Sequence, residues 1–255
     1  MIDNVALQEL TDEGLIADVV RPVGSGKEAD VYLCRAVPRR TDGARVAIAK
    51  VLRPRTHRDF RGTARYLDGR HRKRTSQVKA MEAGNRAGQE FAHSAWIAHE
   101  WMMLKLLHAA GADVPRPIAR TATALLMDNV GDDRTPAPQL RQVRLDRAEA
   151  AAALDRLLMN VGLFLLHNVV HADLSAYNVL WWEGRATIID FPQAVDARFN
   201  DDARELLMRD VANLCRAFER LGVRRDPERI AADLWTGFEY ADLWVEPGGT
   251  DRAWR

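Results

Sequence analysis

The chain has 255 residues, 47% of them hydrophobic, and a formal net charge of +1. That length suits one large domain or two lobes sharing a cleft, and the charge balance excludes a global pull toward nucleic acid. No apolar run approaches the ~20 residues of a membrane span, the acidic N-terminus (Asp3, Glu9, Asp12, Glu13) does not read as a secretory leader, and Cys34 and Cys215 lack metal-ligand spacing, so a reduced, cytoplasmic setting is expected.

Residues 4–20 are predicted to form a short amphipathic helix that packs on the adjoining part of the chain. The stretch Gly24-Ser25-Gly26-Lys27-Glu28-Ala29-Asp30-Val31 then fits a glycine-rich phosphate loop, G-x-G-x-x-G-x-V, with Ala29 in place of the third glycine. Glycine lets backbone approach phosphate closely. Ser25 and Lys27 are candidate phosphate contacts, and Val31 would cover a base. An ordinary hairpin turn fits this stretch equally.

Arg45 to Leu52 is a predicted strand carrying Ile48 and Lys50. An inward Lys on a half-apolar strand needs an anionic partner. The nucleotide phosphates and Glu100 are the candidates; an outward, solvated Lys on an edge strand is the alternative. Only five of 37 basic residues are Lys, so a Lys here suggests that an ammonium is wanted. Residues 53–88 read as a basic insertion. From Arg35 to Arg74 there are fourteen Lys and Arg against three acids. It would cover the cleft, grip an acidic partner such as RNA phosphate, or be a charged loop with no partner.

Phe91 to Ala110 is a predicted helix closed by Gly111, with Trp96, Met103 and Leu107 near one face and Glu100 and His99 as its polar exceptions. Ile118–Thr121 and Ala124–Met127 read as strands. Asp128 to Gly131 breaks the pattern and suits a hinge, where backbone of Asp128 and Val130 would read an adenine edge with Met127 behind it. Asp146 and Glu149 form a capping box for a helix that buries Leu154, Leu157, Leu158, Val161 and Leu165.

The densest chemistry lies between His171 and Asp190. His171-x-Asp173-Leu174-x-x-x-Asn178 is followed by a hairpin, turning at Glu183-Gly184, that ends on Asp190. Kinase-type phosphoryl transfer needs a carboxylate for the attacking hydroxyl, plus an amide and a second carboxylate for Mg²⁺. Asp173 is placed for the first role, Asn178 and Asp190 for the others. Leu180 on the hairpin would meet the base. Pro192 fixes φ and removes an N–H, so a flip of the segment after Asp190 is expected to be hindered. Helices from Ala203 to Leu221 and from Asp226 complete the chain; the final dozen residues are expected to be poorly ordered.

Taken together, residues 24–32, Trp96-x-x-x-Glu100, His171–Asn178 and Ile189–Gln193 resemble the RIO family of atypical serine/threonine protein kinases, most closely its type-one branch, over roughly residues 20–240. The resemblance implies an α+β, two-lobed kinase fold without an activation segment: N-lobe about 1–127, hinge 128–131, C-lobe about 132–255. It implies ATP and Mg²⁺ as ligands. Lys50 would hold the phosphates and pair with Glu100, Asp173 would be the base, and Asn178 and Asp190 would bind metal. Asp190 would also accept phosphate as an aspartyl-phosphate. The family's role in small ribosomal subunit maturation makes a ribosomal subunit or RNA a possible partner. Departures from the family pattern are Gly24-Ser25, Asp30, Ala172 and Ala176. Two other functions stay open: a kinase-like small-molecule phosphotransferase, and a non-catalytic nucleotide-sensing assembly factor.

Overall fold

A computed structural model describes residues 4–26, 29–53 and 86–243, with backbone alone for 86–94 and 241–243. Lys27 and nearly all of the basic insertion lie outside the described residues. So do the final twelve residues.

The first helix, α1, is Val5–Asp12. It starts where the Asn4 side chain accepts the Ala6 N–H, a standard N-cap. It ends earlier than the sequence suggested. Gly14 takes φ +69, a left-handed turn open to glycine. The β-branched Val19 and Val20 then belong to strand β1, Ile16–Ser25, instead of the helix.

Strands β1, β2 (Ala29–Ala36) and β3 (Val46–Leu52) are joined by β4 (Pro117–Arg120) and β5 (Ala124–Asp128) in one antiparallel sheet, ordered β1-β2-β3-β5-β4. Register assigns the faces. Val31 pairs Lys50, Lys50 pairs Leu125, and Ile48 pairs Met127. Cross-strand partners share a face, and residues two apart share it again. Val31, Ile48, Lys50, Leu125 and Met127 therefore form the inner face. Tyr32, Cys34, Ala47, Ala49, Val51 and Leu126 form the outer face, which α1 covers through Leu7 and Leu10.

Helix α2, Arg86–Ala109, crosses the inner face. Its start lies five residues before the expected Phe91. Trp96 and Ile97 pack on Ala29 and Leu52 at the sheet tip. The other half of the chain is mainly helical: α3 (Arg147–Leu166), α4 (Ala203–Glu219) and α5 (Pro227–Leu243). The Asp146–Glu149 capping box starts α3. Asp226 accepts the Arg229 N–H at the start of α5. Between α3 and α4 lie short pairs, β6 (Val169–Val170) with β9 (Val195–Asp196) and β7 (Val179–Trp182) with β8 (Arg185–Ile188). Glu183 and Gly184 both have positive φ, the geometry of a two-residue hairpin turn.

One core joins these parts. Met103, Leu104 and Leu107 of α2, Leu125 and Met127 of β5, and Leu154, Leu157 and Phe164 of α3 belong to a single buried cluster. The fold is α+β, a β-rich N-lobe over a helical C-lobe. No helix among the described residues is long and apolar enough to cross a membrane.

Candidate active site between the lobes

Lys50 leaves the inner face of β3 and meets two carboxylates. Its Nζ donates to Glu100 Oε1 at 2.6 Å and to Asp190 Oδ1 at 2.5 Å. The Glu100 side chain is 3% exposed and that of Lys50 13%, whereas Asp190 is 38% exposed. Asp190 is thus the arm of the triad that opens to the cleft. Burial disfavours the Lys50 charge, but Asp190 and Glu100 outweigh it and hold the ammonium protonated. Burial pushes Glu100 up, with Lys50 opposing. Burial also works against the Asp190 charge, yet Lys50 keeps that carboxyl below its ordinary value.

The position of Asp190 is built by the residues around it. Its φ is +74, a left-handed value uncommon outside glycine. Phe191, next in the chain, is fully buried and packs on Phe164 and His171, with ring centroids 5.7 and 4.7 Å apart. The Phe191 backbone beside Glu100 also favours the ionised Glu100 carboxylate. Asp190 is therefore tied to α2 through Lys50. His99 Nε2 adds a 2.8 Å contact to the Ala194 carbonyl.

His171 sets the loop that carries Asp173. Its Nδ1 accepts the Asp173 N–H at 3.3 Å, which leaves Nε2 to donate to the Ile189 carbonyl at 3.1 Å. That pattern needs a neutral imidazole. Burial depresses its pKa to about 4, in agreement. Asn178 Nδ2 donates to the Asp173 carbonyl at 2.8 Å and to Asp173 Oδ2 at 3.2 Å. The amide nitrogen is thereby committed, and Oδ1 is the atom Asn178 offers a cation. Burial and the charge of Asp190 raise the Asp173 pKa, while Asn178 and Arg209 pull it down.

Asp210, in α4, escaped the sequence reading. It is 1% exposed and accepts the N–H of Ala172 at 2.7 Å and of Leu174 at 2.9 Å. Those amides flank Asp173, so one buried carboxylate fixes both sides of it. Arg209 donates to the Ala172 carbonyl. Together they hold Ala172 at φ +63, a left-handed value that glycine adopts more readily. Burial raises Asp210 to about 7, against the pull of its two backbone donors. A sequence signal existed: Asp210 falls on the buried stripe of Leu207, Val211 and Leu214, where an acid needs a reason.

One side of the cleft is apolar. Val31, Ile48 and Met127 share the inner face, and Leu180 stands on β7 in the C-lobe. At the connection, the Asp128 carboxylate takes a bidentate bond from Arg116, and its N–H goes to the Arg116 carbonyl. The Val130 carbonyl accepts from the Ala137 N–H at 2.6 Å. Gly131 has φ +137, and a Cβ there would collide with the Thr135 carbonyl.

Ser25 is placed differently from the other candidates. Its Oγ accepts a 2.5 Å hydrogen bond from Arg53, and it pairs with Asp30 across the hairpin. Asp30 pairs Val51, an outer-face residue. The Ser25 hydroxyl is therefore on the side of the sheet opposite Lys50.

A family model, the RIO domain, matches residues 30–230. The chain belongs to the RIO family. It is 33% identical over 241 residues to the RIO-type serine/threonine-protein kinase Rio1 of Haloferax volcanii, covering 93% of this chain and 75% of that protein. It is 29% identical over 236 residues to serine/threonine-protein kinase RIO1 of Chaetomium thermophilum, covering 88% of this chain and 44% of the fungal one. Among solved structures, the fold matches the crystal structure of the Rio2 kinase–ADP/Mg²⁺–phosphoaspartate complex from Chaetomium thermophilum. The TM-score is 0.64 at 20% identity, over 95% of this chain and 71% of that one. The two-lobed fold is thus that of RIO kinases.

Proposed function

We propose that this RIO protein transfers the γ-phosphoryl group of Mg-ATP to serine or threonine of a protein or of itself, and hydrolyses ATP through an aspartyl-phosphate. The observation that carries the reading is the cleft in which Lys50 meets Asp190 while Asn178 is bonded to Asp173. The fungal Rio2 complex, with ADP, Mg²⁺ and phosphoaspartate, supports it.

The residues fit the ligand. Val31, Ile48, Met127 and Leu180 suit an adenine, and the Val130 N–H with backbone of Asp128 suits its edge. Lys50 suits the phosphates, held by Glu100. Asn178 Oδ1 and Asp190 are hard oxygen donors, the type Mg²⁺ takes together with phosphate oxygens. Mg²⁺ would neutralise charge on the β- and γ-phosphates. Asp173 orients the acceptor hydroxyl and takes its proton; its raised pKa favours that exchange. In the aspartyl-phosphate route, an Asp190 oxygen bonds the γ-phosphorus as the bond to the β-phosphate oxygen breaks and ADP leaves. Water or an acceptor hydroxyl then takes the phosphoryl group and restores the carboxylate. Lys50 must release Asp190 for either role.

The type-one relatives favour the type-one branch for this chain. Its two cysteines are unpaired and buried, which fits a reducing, cytoplasmic compartment. A ribosomal subunit or RNA is the partner class we assign to the basic insertion. The test is incubation with γ-labelled ATP and Mg²⁺, with and without ribosomal subunits. Label on protein or released as phosphate supports the reading, and hydroxylamine sensitivity identifies an acyl phosphate. Intact ATP after prolonged incubation, with and without ribosomal subunits, contradicts it.

A further inference from the structure

We propose that Arg53, Asp30 and Ser25 form a clamp that sets the shape of the phosphate-binding hairpin from behind, and that Ser25 acts by positioning its loop and does not touch phosphate through its hydroxyl. This rests on the nucleotide reading above. Arg53 follows the last residue of β3. Its Nε and Nη2 reach the two Asp30 oxygens at 2.8 and 2.6 Å, and Nη2 also reaches Ser25 Oγ at 2.5 Å. Three strands are thereby tied at one point: the end of β1, the start of β2 and the end of β3.

The clamp spans the base of the turn. Ser25 and Asp30 are cross-strand partners, and Gly26 N–H donates to the Ala29 carbonyl at 2.8 Å. Register assigns Asp30 to the face of Val51 and Tyr32, opposite that of Lys50 and Val31. On the inner side, Ala29 and Leu52 pack on Trp96 and Ile97. The hairpin is thus held on both faces, by apolar packing toward α2 and by the guanidinium fork outside. A fork of this kind is directional in a way a single ammonium is not. Asp30 is held below the ordinary carboxylate range by its bond to Arg53, so the pair stays charged at neutral pH. A glycine-containing turn is costly to order. Fixing its two ends before phosphate arrives lowers the cost of binding.

The inference predicts a phosphate-specific defect. Arg53→Ala should raise the KM and dissociation constant for Mg-ATP about tenfold, with a smaller effect on kcat, while adenosine binding stays within twofold of wild type. Arg53→Lys, which keeps the charge but loses the fork, should recover only part of the affinity. Asp30→Ala should match Arg53→Ala, and the double variant should be no worse than either, because the residues act as one unit. Hydrogen exchange at the Gly26 amide should quicken in Arg53→Ala without nucleotide. Ser25→Ala should lose less than Arg53→Ala, since the Asp30–Arg53 bond survives.

Unchanged Mg-ATP affinity in Arg53→Ala, equal losses for adenosine and Mg-ATP, or additive effects in the double variant overturn the clamp. A Ser25→Ala defect larger than that of Arg53→Ala restores Ser25 as a direct contact and overturns its positioning role. Wild-type protein that binds no Mg-ATP contradicts the nucleotide reading itself. In that case Gly26 exchange decides the clamp alone: quicker exchange in Arg53→Ala upholds it, and equal exchange overturns it.

Discussion

Lys50 Nζ lies 2.5 Å from Asp190 Oδ1, across 140 positions of sequence and from one lobe to the other. The same ammonium also meets Glu100 of α2 at 2.6 Å. The cation and the carboxylate to which the proposed function assigns phosphate and metal are therefore preset against one helix.

Asp173→Asn should lower phosphoryl transfer or ATP turnover about 10²–10⁴-fold and leave the Mg-ATP dissociation constant within about threefold. The Asn keeps the bulk and part of the hydrogen bonding to Asn178. Calorimetric titration beside a turnover assay separates the two quantities. Turnover equal to wild type removes Asp173 from its role.

Lys50→Met should destabilise the fold by about 3 kcal/mol, because it strands Glu100, only 3% exposed, without its cation. Adding Glu100→Leu should recover much of that loss, since a buried carboxylate is replaced by apolar volume. Urea melts of the three variants check this. A double variant less stable than Lys50→Met would falsify the account of Glu100 as a paired buried charge.

His171 titrates near pH 4 when folded, against an ordinary 6.5. Unfolding therefore takes up a proton between those values, so its contribution to stability rises with pH from 4 to 6.5 and is lost on acidification. The span corresponds to about 3 kcal/mol. Asp210 has the opposite sign. Raised from 3.8 to about 7, it favours the folded state at low pH and loses that contribution as pH rises through 7. His171→Phe should thus show a flatter or inverted dependence between pH 4 and 6.5, whatever its absolute stability. Parallel wild-type and variant curves in that window contradict the neutral, buried imidazole.

Asp210→Ala leaves the Ala172 and Leu174 amides without their acceptor. The expected loss is about 1–3 kcal/mol for each unsatisfied donor. kcat should fall about 10²-fold through displacement of Asp173. Asp210→Asn retains an acceptor oxygen and should recover part of both. Stability and kcat measured on each variant provide the check, and full kcat in Asp210→Ala denies the positioning role.

The sequence exposed the His171–Asn178 loop well because its residues are close together and chemically restricted. Asp173 and Asn178 are five apart, and Asn178 bonds both the carbonyl and the carboxylate of Asp173. Lys50 with Glu100 was legible for a different reason: a charge on each of two half-apolar elements has to find a partner. Asp210 was hidden because its partners are backbone amides 36 and 38 residues away, and amides carry no residue-type signal. Arg53 was lost inside a basic run, where no single guanidinium stands out. The α1 boundary was missed because an apolar pattern continued across Gly14, where the period changes from helix to strand. The face occupied by Ser25 depends on strand register, which a one-residue shift reverses.

The most direct measurement is calorimetric titration of ATP into wild type, Lys50→Ala, Asp190→Ala and the double variant, each with Mg²⁺ and with EDTA. The shared cleft predicts that Mg²⁺ tightens binding to wild type, that each single variant weakens Mg-ATP binding at least tenfold, and that the Mg²⁺ effect vanishes without Asp190. The two substitutions should also be non-additive. Mg-ATP binding that survives either substitution undiminished, or a Mg²⁺ effect that persists in Asp190→Ala, contradicts it.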